Sequence, residues 1–93
     1  MVYHGEYRTR SGRCYFLWSF CKQPSGEIRI YILKAPGYGN MPSDAHSTHR
    51  YEDLNGHRYI CFDPMPRNLG DAITIAIEWA ERTEEYILYS EEF

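Results

Sequence analysis

The stretch that decides the fold is NLGDAITIAIEWAERTEEYIL, running from Asn68 to Leu88. Leu69, Ala72, Ile73, Ala76, Trp79, Ala80, Thr83, Tyr86 and Ile87 recur at the i, i+3, i+4, i+7 spacing of one helix face. Asn68 is placed to cap the first turn, and Asp71 stands where the acidic partner of a capping box belongs. Gly70 weakens that turn by about 1 kcal/mol relative to alanine. At ~1.5 Å per residue the segment is a helix roughly 30 Å long. Its apolar stripe needs a surface, and the rest of the chain must supply it.

That surface reads as two hairpins. Between Arg13 and Lys22, Phe16, Trp18 and Phe20 alternate with Tyr15, Leu17, Ser19 and Cys21. Between Glu27 and Lys34, Ile28, Ile30 and Ile32 alternate with Glu27, Arg29, Tyr31 and Leu33. Gln23-Pro24-Ser25-Gly26 is a turn. An odd-length loop with a glycine bulge puts the three isoleucines on the face of Phe16, Trp18 and Phe20. Asn55-Gly56 marks the second hairpin, between Thr48–Glu52 and His57–Phe62. Taken as its two turn residues, they pair Asp53 with Arg58, Tyr51 with Ile60 and His49 with Phe62. Residues 2–8 alternate loosely and fit an extra edge strand.

The expected fold is a single α+β domain spanning residues 1–93. A mainly antiparallel sheet of four to five strands carries one long C-terminal helix on one face. Its expected core is Phe16, Trp18, Phe20, Ile28, Ile30, Ile32, Ile60, Phe62, Ile73, Ala76, Trp79 and Ala80.

No run approaches the ~18 apolar residues of a membrane span, and the first residues carry no secretory pattern. A cytoplasmic protein without a membrane partner is expected. The three cysteines, Cys14, Cys21 and Cys61, are an odd count and read as reduced thiols. Net charge is −3 but unevenly spread. Residues 1–34 carry six Lys/Arg against two Glu, and residues 68–93 carry one Arg against seven Asp/Glu. The domain as a whole is acidic and repels phosphates at long range, so complementarity within or between subunits is favoured over a nucleic-acid partner.

Residues 35–47 hold two Gly, two Pro, Asn, Asp and two Ser. This is a loop, long for so small a domain, and such loops are often functional. With its exit it supplies the candidate ligand-binding set Tyr38, Asn40, Asp44, His46 and His49, suited to a small ligand or peptide and to binding rather than turnover. No cofactor motif is present: Gly37-Tyr38-Gly39-Asn40 lacks phosphate-loop spacing. His46 and His49 fall on opposite faces of an extended strand and share a metal only if the chain turns between them. An enzyme would pair Cys61 with a histidine. A nucleic-acid binder would use Arg8, Arg10 and Arg13 beside Tyr7, Tyr15 and Trp18. Glu78, Glu81, Glu84 and Glu85 read as the wet face of the helix.

The order Tyr31-Ile32-Leu33-x-x-Pro36-Gly37-Tyr38-Gly39, Asp44-Ala45-His46-Ser47-Thr48-His49-Arg50, Tyr59-Ile60-Cys61 and Ala76-x-x-Trp79-Ala80-Glu81-Arg82-Thr83-x-x-Tyr86-Ile87 resembles small uncharacterised bacterial proteins of mobile, integron-type gene cassettes. The resemblance spans about residues 28–88. It implies an accessory, horizontally moved gene. It implies no activity, and no functional residue carries over from it.

A homodimer is expected. Ile75 and Ile77 lie outside the main helix stripe, and Tyr15, Leu17, Tyr31 and Leu33 remain on the second sheet face once one helix is docked. Either surface can serve as the interface.

Overall fold

The computed structural model describes residues 2–93. Five strands form one sheet: β1 (Val2–Arg8), β2 (Tyr15–Lys22), β3 (Ile28–Lys34), β4 (Arg50–Glu52) and β5 (Arg58–Ile60). Their order is β1-β2-β3-β5-β4, and every pairing is antiparallel. A single turn, α1 (Ala45–Thr48), interrupts the long loop, and the long helix α2 spans Leu69–Tyr89. The α+β arrangement of one antiparallel sheet and one long C-terminal helix is therefore present.

The helix begins where its cap says it should. Asn68 Oδ1 accepts from the Asp71 amide at 2.8 Å, and Asn68 Nδ2 donates to the Asp71 carboxylate at 2.9 Å. The second bond runs between side chains, a variant of the usual box in which the acid reaches the cap's backbone amide. The first hairpin closes from the Gln23 amide to the Glu27 carbonyl, with Gly26 at φ +93°. Only a glycine enters that conformation cheaply. The odd loop sets Phe20 against Ile30 and Trp18 against Ile32, so both apolar sets share the helix side.

Alanines 72, 76 and 80 are fully buried and let the helix backbone come close to the sheet. The sheet fills the gap with Phe16, Trp18, Phe20, Ile28, Ile30 and Ile60, and Trp79 meets Phe16 edge-on at 5.6 Å between centroids. Ile32 and Ile73 sit at the margin of this core, half-buried. Phe62 departs from expectation. β5 ends at Ile60, and Phe62 lies beyond it, 42% exposed.

The second hairpin also departs from the expected register. Arg50 faces Ile60, Tyr51 faces Tyr59 and Glu52 faces Arg58. The cause is Asp53, whose Oδ1 accepts from the amides of both Asn55 and His57 at 2.9 Å. Its own amide donates to the His57 carbonyl, closing a three-residue loop, Leu54–Asn55–Gly56, in place of a two-residue turn. Asp53 then lies 3.8 Å from His57, and Arg58 pairs with Glu52 at 3.5 Å, not with Asp53. A one-residue slip exchanges the faces of a strand. Arg50 goes inward beside Ile60, while Tyr51 joins Tyr59 and Tyr31 on the open face.

None of the helices described is long and apolar enough to cross a membrane.

Candidate functional site

Two side chains of α2 hold the 35–49 loop, and both grip its backbone. Trp79 Nε1 donates to the Thr48 carbonyl at 3.1 Å, and Tyr86 Oη donates to the Pro42 carbonyl at 2.6 Å. Between these anchors Asp44 caps α1, accepting from the Ser47 amide at 3.0 Å. That bond holds its carboxyl below the usual aspartate range. His49 ends the turn in the left-handed region, at φ 52°. Its carbonyl accepts from the Cys61 amide, which locks the loop exit to β5.

On one side of the loop lies Arg50, only 7% exposed. Its Nε donates to Thr48 Oγ1 at 3.0 Å and its Nη2 to the Ser43 carbonyl at 2.9 Å. The guanidinium carbon stands 4.6 Å from the centroid of the Tyr38 ring, within cation–π range. Among the described residues no carboxylate comes within ion-pair distance of it, and Nη1 has no hydrogen-bond partner. Burying a cation is costly unless it is paired, and here the pairing is only with neutral oxygens and a ring face. Burial accordingly pulls the guanidinium below its ordinary value, although an arginine stays charged.

Arg50 lines a cleft of about 450 Å³ together with Arg58, Tyr38, Ser43, Leu33 and Pro36. Both charged groups in its wall are arginines. Arg58 is half-exposed and shares only the exposed Glu52, a pairing worth ~0–1 kcal/mol. The Tyr38 hydroxyl and Thr83 Oγ1 are both buried and neither makes a well-formed hydrogen bond among the described residues, although the two side chains are near neighbours. Burial pushes the Tyr38 phenol up.

On the other side of the loop, His46, Ser47 and His49 line a smaller cavity of about 220 Å³ with Tyr86, Glu92 and Phe93. The His49 ring stacks on Phe93 at 4.6 Å. The turn at Ala45–Thr48 is what brings both histidines to one cavity. The five residues singled out in the sequence therefore divide. Tyr38 belongs to the arginine cleft, and His46 and His49 belong to the histidine cavity. Asp44 is engaged as a cap, and Asn40 is exposed in a turn.

Among the described residues, no group of three or more His, Cys, Asp or Glu is placed to hold a metal. Cys61 and His49 line one cavity, but the hydrogen bond that joins them runs from the Cys61 amide to the His49 carbonyl, and among the described residues no bond forms between the thiol and the imidazole. Arg50, the first residue of β4, lies outside the set expected from the sequence. Its signal was Asp53, whose side chain sets the register that buries it. Glu84, read as wet, is 6% exposed and accepts from Thr9 and Ser11.

No family model, curated protein or solved structure matches the chain.

Proposed function

We propose that this chain is a small cytoplasmic binding module that takes the carboxylate or phosphate group of a small molecule in the cleft between the 35–43 loop and the β4–β5 hairpin. The observation that carries the reading is the buried Arg50 guanidinium, with no carboxylate beside it among the described residues and Nη1 without a protein partner. Arg58 on the same wall gives a second cation, held only by an exposed glutamate. Two guanidinium groups suit the two or three oxygens of a carboxylate or phosphate. The apolar lining from Leu33 and Pro36 suits the organic part of such a ligand. The three free thiols support a reducing compartment.

The test is an NMR titration with inorganic phosphate and, separately, acetate at low ionic strength. Saturable shifts are expected at the Gly37, Tyr38 and Gly39 amides. Arg58→Gln, on the surface, should weaken binding roughly 10- to 100-fold, the worth of one charged hydrogen bond. Arg50→Lys should also weaken it, since lysine keeps the charge but loses the planar fork. Absence of saturable shifts for both anions, or shifts indifferent to Arg58→Gln, refutes the reading.

A further inference from the structure

We infer that the free edge of β1 pairs antiparallel with the same edge of a second copy of this chain, about a two-fold axis through Gly5. β1 ends the sheet, with β2 on one side and no described strand on the other. Its register with β2 runs without a break from Val2 to Arg8, and it contains no proline and no bulge. Edge strands are normally kept from pairing by brevity, proline, lysine or a bulge. The opposite edge, β4, is only three residues long. β1 is seven residues long and exposes Val2 (64%) and Tyr3 (45%). It is also held firmly in place, since the Tyr7 ring stacks on Trp18 and its hydroxyl bonds Glu81.

The sequence of the strand selects the register. A two-fold axis perpendicular to the sheet keeps each face on its own side, so directly opposed residues must share parity. Centring on Gly5 opposes Val2 to Arg8, Tyr3 to Tyr7 and His4 to Glu6, and uses all seven residues. Each charged contact then joins unlike or neutral groups. Centring on Glu6 would set Glu6 against Glu6 and His4 against Arg8, with like charges opposed. Centring on His4 would set His4 against His4 and shorten the ladder. Gly5 at the axis also removes side-chain bulk where the two backbones meet. A Cβ there would also crowd the Phe20 ring, at 3.2 Å.

Sedimentation of the full chain at tens of micromolar tests the inference, with a species of about 22 kDa expected, twice the 11.0 kDa of one chain. Val2→Glu places a carboxylate opposite the partner's Arg8 and should tighten the dimer. Val2→Lys places a lysine there and should loosen it. Each acts twice per dimer, so a change of about tenfold in dissociation constant is expected in either direction. His4→Glu alone should also loosen it, and adding Glu6→Lys should restore it by exchanging the pair. Circular dichroism checks that each variant is folded. A species of 11.0 kDa at every concentration overturns the inference. So does a dimer indifferent to both Val2 substitutions, which would assign the contact to the Leu17–Leu33 sheet face or to Ile75 and Ile77.

Discussion

Replacing Glu84 by alanine should be among the most damaging single changes in this chain, although its neighbours Glu85 and Glu78 are ordinary surface residues. The carboxylate sits over the β1–β2 turn and accepts from Thr9 Oγ1 at 2.8 Å and Ser11 Oγ at 2.5 Å. Thr9 is itself buried, and its hydroxyl accepts from the Cys14 amide. Hydrogen bonds to a charged group contribute ~1.5–3 kcal/mol each, so two come to roughly 3–6 kcal/mol. Releasing a carboxylate from a buried site returns part of that. A net loss of about 2–4 kcal/mol is expected, or roughly 10–25 °C in Tm for a domain of this size. The hydroxyl donors also hold the carboxyl below the ordinary glutamate value of 4.5. A depressed native value contributes stability that is fully present above 4.5 and is lost as pH falls through the lowered native value. Glu84→Gln should therefore flatten the wild type's loss of stability below pH 4.5 while keeping the side chain's shape. Urea unfolding at pH 7 and at several pH values below 4.5 measures both effects. If Glu84→Ala lies within about 0.5 kcal/mol of wild type, or if Glu84→Gln follows the wild-type pH curve, the account of this contact is wrong.

Trp79→Phe keeps a ring against Phe16 but removes the donor to the Thr48 carbonyl; a loss of ~2–3 kcal/mol is expected, with amide exchange in residues 42–49 accelerated more than in β2. Thr83→Val removes a buried hydroxyl that makes no well-formed hydrogen bond among the described residues; stability should hold or rise by up to ~1 kcal/mol, and a loss of more than about 0.5 kcal/mol in thermal unfolding would show that the hydroxyl bonds the Tyr38 phenol beside it.

Local chemistry made most of this fold legible. Asn68 and Asp71 fixed the start of the helix, and its alanine-rich stripe identified the buried face. In the first hairpin Gly26 announced the odd loop. In the second, Asn55-Gly56 reads as a complete turn, but the side chain of Asp53 competes with it for the loop amides. Asp and Asn often replace a backbone partner in this way. The resulting slip of one residue had two consequences. Phe62 leaves the expected core, and Arg50 turns inward to become the buried cation of the arginine cleft. Glu84 departs from its expected wet position for a different reason. Its position is polar in the helical pattern, and only the folded β1–β2 turn brings hydroxyl donors over it. Donors from distant segments leave no periodic trace. The loop itself was identified from composition, but its division into two cavities depends on the single turn at Ala45–Thr48.

The grip of Trp79 and Tyr86 on main-chain carbonyls has a consequence for how this protein can change. Every residue has a carbonyl, so these two anchors do not depend on which side chains the anchored residues carry, and the loop's course between them rests on the Asp44 cap alone among its carboxylates. Substitutions at His46, exposed between the anchors, can alter what the histidine cavity offers without moving the two anchored carbonyls. The helix thereby separates the shape of the recognition surface from its chemistry, and new specificities can be tried on it one side chain at a time.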